Sequence, residues 1–410
     1  MINIDDKSKC SGCNACKSIC PQKCIHMEYD NEGFYYPKID ISKCVNCKAC
    51  ERVCPYKNDL SGRSDNLSVY GCQINNEKIR RTSTSGGGFS AIAQYVLNND
   101  GVVYGVGYDE KMHVVHKRVD SMEQLQEIRG SKYVQSEIGN TFIDIANLLK
   151  NDKYVLFSGT PCQVEGLLYY LKGINSDKLI TIDIKCYGVP SPELFDIFQN
   201  YLAELYNSRI KEFYFRDKKY GYYGVNIRAI LENGNTIEDR LELKTYNKTM
   251  FSKIGLRRSC YSCDFTKRQK LSDFTLGDIW NIDDYDPEMD DDLGTTCVEI
   301  NTQKGEKIFN ELIHNNILRS TFIANLTGEK LVNYQKSLQR HYVLDENKRK
   351  AFFDDMHRLP YENLMKKHFA DNTKNKIDNV VKPLLNSIPG CSVIFKIIKK
   401  KKAGRIGYES

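Results

Sequence analysis

Chemistry in this sequence begins with sulfur. Cys10, Cys13, Cys16 and Cys20 follow one another as Cys-x2-Cys-x2-Cys-x3-Cys with Pro21 next, and Cys44, Cys47, Cys50 and Cys54 repeat that spacing with Pro55 next. Gaps this short let three thiolates of one loop grip three corners of an iron–sulfur cubane. The doubled form is the spacing of two-cluster 4Fe–4S proteins, in which the fourth ligand crosses over from the other run. On that rule one cluster takes Cys10, Cys13, Cys16 and Cys54, and the other takes Cys44, Cys47, Cys50 and Cys20. Zinc knuckles and a disulfide framework are the competing uses of such residues. The doubling, and the proline after each fourth cysteine, favour the clusters.

A second set of cysteines has no such periodicity. Cys162 stands in Ser158-Gly159-Thr160-Pro161-Cys162-Gln163, a strand-to-helix turn, and Cys186 follows the strand pattern Ile180 to Ile184. Cys260 and Cys263 form a Cys-x2-Cys pair. In an α/β sheet the carboxyl ends of the strands converge on the edge where ligands bind, so Cys162 and Cys186 are expected together there. A Cys-x2-Cys arriving from elsewhere completes a four-sulfur site. Two buried structural cysteines plus a zinc or redox pair is the alternative, and spacing alone does not choose between them. Cys24, Cys72, Cys297 and Cys391 have no partner at ligand spacing and read as small apolar residues.

The stretch Thr82-Ser83-Thr84-Ser85-Gly86-Gly87-Gly88-Phe89-Ser90 precedes a helical pattern. Exposed N–H groups at such a helix start suit a phosphate, and a flexible turn is the equal alternative. The stretch lacks the Lys-Ser/Thr ending of a P-loop, which argues against nucleotide hydrolysis. Gly105-x-Gly107 is followed by Glu110 where a dinucleotide fingerprint needs Gly or Ala. The acids at 283 to 292 (Asp283, Asp284, Asp286, Glu288, Asp290, Asp291, Asp292) read as a solvated loop rather than a docking face. His113 and His116, three apart in a strand pattern, point to opposite faces and do not chelate together. No Ser-His-Asp or His-Glu-x-x-His constellation supports hydrolysis. Trp280 suits a core position or a ring-stacking wall equally.

The elements that must position these residues are legible in outline. Residues 1–60 form an α+β ferredoxin-like module, and the polar link Asn58 to Asn66 marks its boundary. From 67 to 320 short strand patterns (Val69–Gln73, Val102–Tyr108, Val114–Val119, Tyr154–Phe157, Leu179–Ile184, Ile210–Phe215) alternate with helical ones (Phe89–Leu97, Ile138–Leu149, Val164–Leu171, Pro192–Leu205). A hairpin is expected over 225–238, turning at Asn233-Gly234. This predicts an α/β domain with a mixed sheet. Residues 321–410 read as a mostly helical region, with Val343–His357 and Tyr361–His368 clearest.

The chain has 410 residues, 41% of them hydrophobic, and 59 basic against 53 acidic residues, for a net charge of +6. Lys396, Lys399, Lys400, Lys401, Lys402 and Arg405 hold this excess, so the rest is balanced and no nucleic-acid partner is expected. The tail from Ser392 to Lys402 joins an apolar strip to the basic run, which suits peripheral contact with an anionic membrane or a solvated end. The start lacks a secretory signal and no apolar run reaches spanning length, so a cytoplasmic home with reduced thiols is expected.

With these residues assembled, the chain resembles the coenzyme F420 hydrogenase/dehydrogenase beta-subunit family with a fused two-cluster ferredoxin domain. The matching stretches are Ser85-Gly86-Gly87-Gly88-Phe89-Ser90, Gly130-Ser131-Lys132-Tyr133, Gly159-Thr160-Pro161-Cys162-Gln163, Cys186-Tyr187-Gly188-Val189-Pro190, Phe215-Arg216-Asp217-Lys218, Cys260-Tyr261-Ser262-Cys263 and Leu276-Gly277-Asp278-Ile279-Trp280. The resemblance implies FAD as a cofactor and a third 4Fe–4S cluster on Cys162, Cys186, Cys260 and Cys263. It assigns Ser85, Gly86, Gly87, Gly88, Phe89, Ser90, Lys132, Tyr133, Thr160 and Asp278 to the flavin site. Backbone N–H groups of Gly86 to Gly88 are expected at the pyrophosphate, and Lys132 near the flavin ring or phosphates. Where the family often has Gly-Trp this chain has Gly221-Tyr222, so any stacking there uses Tyr222. A deazaflavin substrate is not implied.

The resulting expectation is a ferredoxin-linked reductase of an unidentified small molecule, passing single electrons between clusters and FAD. One alternative is a non-catalytic electron-transfer subunit docking to a separate oxidoreductase. Another is a scaffold whose clusters only stabilise the fold.

Overall fold

The computed structural model describes residues 2–58, 68–224, 226–266, 269–324 and 343–369. All but the first residue of the link Asn58–Asn66, the basic tail and Cys391 lie outside them. In the amino-terminal module a short helix carries the third cysteine of each run, Cys16 in α1 (Ala15–Ile19) and Cys50 in α2 (Ala49–Arg52). Between the two helices runs the antiparallel hairpin β1 (Ile25–Tyr29) and β2 (Tyr35–Ile39).

The large sheet begins with β3 (Ser68–Ile74), followed by α3 (Glu77–Thr82) and α4 (Gly88–Asn98). Next come β4 (Val102–Tyr108), β5 (Val114–Val119), α5 (Thr141–Lys150), β6 (Val155–Gly159), α6 (Pro161–Tyr170) and β7 (Leu179–Ile184). An inserted layer follows, α7 (Pro192–Tyr206), β8 (Ile210–Asp217), β9 (Asn226–Leu231), β10 (Thr236–Glu238) and α8 (Leu241–Phe251). The chain then returns to the sheet with β11 (Phe274–Ile279), β12 (Thr295–Ile300), α9 (Gln303–His314) and β13 (Leu318–Ala324), and the described part ends with α10 (Glu346–Met356) and α11 (Tyr361–His368).

Eight strands form one mixed sheet in the order β13-β3-β12-β11-β7-β6-β4-β5, parallel from β11 through β4 and antiparallel toward both edges. The parallel strands are apolar on both faces, as strands covered on both sides must be. Val103, Leu156 and Ile180 pack with helices α4 and α9 on one face. Val102, Tyr104, Val155 and Phe157 pack with α5 and α6 on the other. The boundary expected at 320/321 falls inside β13, which pairs with β3, so the α/β domain runs on to Ala324.

A third core joins what the sequence suggested were separate parts. Phe34 and Tyr36 of the amino-terminal hairpin share one apolar cluster with Phe195 and Phe198 of α7, and with Phe352, Phe353 and Leu364 of the carboxyl-terminal helices. Buried charge reinforces this seam. Arg349 of α10, with no exposed side-chain surface, donates to both carboxylate oxygens of Glu32 in the turn after β1, at 2.9 and 2.6 Å. Its remaining nitrogen donates to the Leu256 carbonyl at 2.5 Å and the Tyr261 hydroxyl at 2.9 Å. Arg258 reaches the same Glu32 at 2.9 Å. Among the described residues, no helix is long and apolar enough to cross a membrane.

Candidate functional site

Three cavities are lined by cysteine, two within the amino-terminal module and one between that module and the sheet domain. The distal one is bounded by Cys20, Cys44, Cys47 and Cys50, and the proximal one by Cys10, Cys13, Cys16 and Cys54. These are the two crossed sets expected from the spacing. Cys24, expected to be an ordinary apolar residue, also lines the distal cavity, its Sγ 3.4 Å from that of Cys20. Its offset of four residues from Cys20, across Pro21, gave no ligand spacing. Cys72 and Cys297 are packed in apolar clusters, as expected.

The third cavity gathers Cys162, Cys186, Cys260 and Cys263. Its construction follows from the sheet. Strands β6 and β7 are parallel neighbours with Gly159 opposite Asp183, so their carboxyl ends deliver Cys162 and Cys186 to the same edge. Helix α6 starts sharply because Thr160 and Gln163 form a capping box and Pro161 occupies its first turn. Thr160 Oγ1 lies 3.2 Å from Cys162 Sγ. The N–H of Gly188, where φ is +117°, donates to Cys186 Sγ at 3.4 Å. A short 3-10 turn over Arg258–Cys260 then brings in the Cys-x2-Cys pair.

Burial and neighbouring thiols push Cys260 up to about 12 and Cys162 up to about 11, and burial pushes Cys186 well above its usual range. Four thiols held protonated by burial suit a cationic centre that draws off the protons and compensates the thiolates. Each set lines a cavity rather than converging on a point. Among the described residues no three His, Cys, Asp or Glu are grouped as ligands of a single ion.

The proximal and core cavities share a wall. Ser11 and Tyr56 line both. The buried Ser11 hydroxyl has no hydrogen-bond partner of good geometry and faces Cys162, lowering its pKa against the larger effect of burial. Gly166, one turn along α6 from Cys162, lies so close to Cys13 that a Cβ there would sit 2.9 Å from its sulfur. Arg257 and Gln135 complete the wall. Gln135 Nε2 donates to the Ser11 carbonyl at 2.9 Å, and its Oε1 accepts from Arg257 at 3.0 Å. Ser11, Tyr56, Gln135 and Arg257 were not singled out from the sequence, because nothing in their local pattern marks a contact with a distant segment.

A second polar group lies between the glycine stretch and β8. Arg216 pairs with Asp278 and lies 5.1 Å from the Trp280 ring and 5.4 Å from that of Tyr222. Lys218 donates to the carbonyls of Arg80, Ser85 and Leu293, at 3.0, 2.6 and 2.6 Å. Burial, and the nearby Arg80 and Arg216, bring Lys218 down to about 7; burial and Lys117 do the same for Lys132. Lys132 Nζ donates to the Arg129 carbonyl at 2.7 Å, Tyr133 lies near Arg216, and the Arg129 Nε is buried without a partner. Ser85 enters this group through Lys218, Tyr133 and Asp278 enter it through Arg216, and Lys132 adjoins Tyr133 in the chain.

Other expected flavin residues are placed differently. Thr160 belongs to the cysteine cavity. The N–H of Gly88 is already donated to Thr296 Oγ1 at 3.2 Å, and a Cβ on Gly86 would lie 2.2 Å from the Cys72 carbonyl oxygen. The glycines thus serve close packing on β3 and β12. Ser90 is buried in α4 and Phe89 packs beside the α4 core. Tyr222, expected as a stacking surface, is buried and stacks on Trp280 with centroids 4.6 Å apart. The acidic stretch is a fitted loop: Asp291 pairs with Arg80, Asp292 accepts from the Tyr223 N–H at 3.1 Å, and Asp286 accepts from Thr321 at 2.6 Å.

Residues 9–58 match the family described as 4Fe-4S dicluster domain, and residues 152–324 match the family described as the C terminus of the coenzyme F420 hydrogenase/dehydrogenase beta subunit. No curated protein sequence matches the chain. A chain of the F420-reducing NiFe hydrogenase complex from Methanosarcina barkeri superposes with a TM-score of 0.46 at 16% identity, over 73% of this chain and 94% of its own. The chain thus carries an iron–sulfur dicluster match over residues 9–58 and, over residues 152–324, a match to the C-terminal part of an oxidoreductase beta subunit.

Proposed function

From a dicluster domain fused to a beta-subunit domain of the F420 hydrogenase and dehydrogenase type, we propose an iron–sulfur flavoprotein. It moves single electrons through three 4Fe–4S clusters between an external carrier and FAD, and reduces a small molecule at the flavin. The observation that carries this reading is the convergence of Cys162, Cys186, Cys260 and Cys263 on a cavity sharing the Ser11–Tyr56 wall with the proximal one.

When bound, clusters supply one-electron steps and FAD a two-electron step. The chain's own residues hold these groups close and set their surroundings. Cys13 and Gly166 in contact, with Cys162 one turn away on α6, keep the proximal and core centres a short distance apart. The distal loop over 41–48 is almost wholly exposed, Cys47 included, and offers the entry point for a carrier protein such as a ferredoxin. Arg129, Lys132, Arg216 and Lys218 form a cationic group that fits the phosphates or a reduced ring of an anionic dinucleotide, with Arg129 Nε free to donate to it. So thiol-rich a protein suits the cytoplasm.

Anaerobic reconstitution followed by iron, sulfide and flavin analysis tests this. About twelve iron atoms and one FAD per chain are expected, from three cubanes of four irons. Eight irons and no flavin after full reconstitution overturns the core assignment. The matching family is described as a beta subunit, which favours one second reading, an electron-transfer subunit working on a separate oxidoreductase. Stable co-purification with such an enzyme, and no turnover alone, selects it.

A further inference from the structure

Arg257 is buried completely, at 0% exposure, and no carboxylate pairs with it among the described residues. Its Nε donates to the Cys10 carbonyl at 2.8 Å, one Nη to the Tyr35 carbonyl at 2.9 Å, and the other to Gln135 Oε1 at 3.0 Å. The Nη that meets Tyr35 also lies 3.8 Å from Cys10 Sγ. The guanidinium carbon sits 4.1 Å from the Tyr36 ring centroid and 5.5 Å from that of Phe34. Every direct partner is neutral, and burying a cation among neutral groups costs several kcal/mol.

The chain nonetheless builds a cradle for it. Gly12, held at φ +68°, leaves just enough room: a Cβ there would meet Nη1 at 3.0 Å and Gln135 Nε2 at 2.9 Å. The cradle touches two four-cysteine sets at once, since Arg257 contacts Cys10 of the proximal set and lines the core cavity with Cys260, three residues along its own chain. The distal set has no buried counterpart among the described residues: Arg52, which donates to the Cys47 carbonyl at 3.0 Å, is exposed. The cations on its loop, Lys43 and Lys48, stand exposed in solvent, where charge is screened.

We propose that Arg257 is a shared potential-setting residue, the buried counter-charge of the proximal and core clusters together, which raises the reduction potential of both and leaves the distal cluster unaffected. Each one-electron reduction adds a negative charge to a cluster. A fixed cation in a low-dielectric wall stabilises the more negative state, so electrons from the carrier settle inward rather than at the exposed end. This rests on the core cysteines holding a cluster.

The test is an anaerobic redox titration of the reconstituted full chain, followed by electron paramagnetic resonance, with the distal signal assigned through Cys47→Ser. In Arg257→Gln the proximal and core signals shift to lower potential by at least tenfold in the equilibrium constant for electron uptake, about 59 mV for one electron. The distal signal stays in place. Arg257→Lys keeps both potentials within that margin. Gln135→Glu, which sets a carboxylate on the guanidinium without removing it, lowers the same two potentials and serves if Arg257→Gln does not fold. Equal shifts in all three signals, a shift in one alone, or none, overturn the shared role. A wild-type chain with only two centres overturns the core reading itself, and the iron count reveals this before any titration.

Discussion

The distal and core cysteine sites put the same four-sulfur chemistry in opposite settings. Cys44 and Cys47 stand on a loop exposed along most of 41–48, with Ile41 and Val45 turned to solvent at 72% and 62% exposure. Cys162, Cys186, Cys260 and Cys263 are delivered by two sheet strands and one turn to a cavity walled by Arg257, Tyr56 and Phe265. The first is a local device that needs little from the rest of the fold. The second exists only while the sheet, the amino-terminal module and α10 hold together. The distal set is built to be reached, and the core set is built to be kept still.

The largest expected effect separates the two outright. Cys260→Ala removes the core centre and about four irons per chain, while the distal and proximal signals persist; loss of all three signals would mean that the sites are not independent. Next comes the seam. Glu32→Gln leaves Arg349 buried without its carboxylate, which costs about 3–5 kcal/mol, read as a lower urea midpoint and a core centre that becomes accessible to chelators before the distal one.

Acid sharpens the contrast further. His116 is buried against Phe157, its Nε2 bonded to the Ser158 carbonyl at 3.1 Å and its Nδ1 to the Ser136 hydroxyl at 3.2 Å. Burial brings it down to about 4. An unfolded chain takes up this proton near pH 6.5, whereas the folded chain refuses it until about 4. The stability it contributes is therefore full above pH 6.5 and is lost as pH falls from 6.5 to about 4. The loss amounts to about 3 kcal/mol, and His116→Phe abolishes that slope in denaturant titrations at stepped pH. Gly166→Ala, by pressing a methyl on Cys13, costs about 1–3 kcal/mol and perturbs the proximal and core signals, not the distal one. Lys48→Glu has the smallest effect. It slows reduction by an acidic carrier protein a few-fold at low salt, with the difference fading as salt rises, and leaves reduction by dithionite unchanged.

The same contrast explains what the sequence disclosed. Distal and proximal ligands lie within a few residues of one another, so their spacing carries the geometry. The core set was legible as a pair and two cysteines expected on one sheet edge, but spacing alone did not join them, because the meeting of Cys162 with Cys186 depends on β6 lying beside β7. The strands over 102–108, 114–119 and 179–184 were legible from apolar runs, since covered parallel strands have no other way to be written. Arg257 and Arg258 were not distinguishable: adjacent and identical in type, one is sealed between two sites and the other pairs with Glu32 and Glu346 nearer the surface. Burial of a charge is decided by partners hundreds of residues away. For the same reason Cys24 looked inert and the acidic run looked solvated.

The seat of Glu32 between Arg349 and Arg258 has a consequence for how the molecule is made. A ribosome releases Glu32 early, with Arg258 and then Arg349 following much later, so the turn that carries it has no fastening until nearly the whole chain has emerged. Until then the distal and proximal sites are open to whatever machinery loads iron and sulfide. Helix α10 thus fastens a turn made 317 residues before Arg349, and the amino-terminal hairpin waits on it to be held in place.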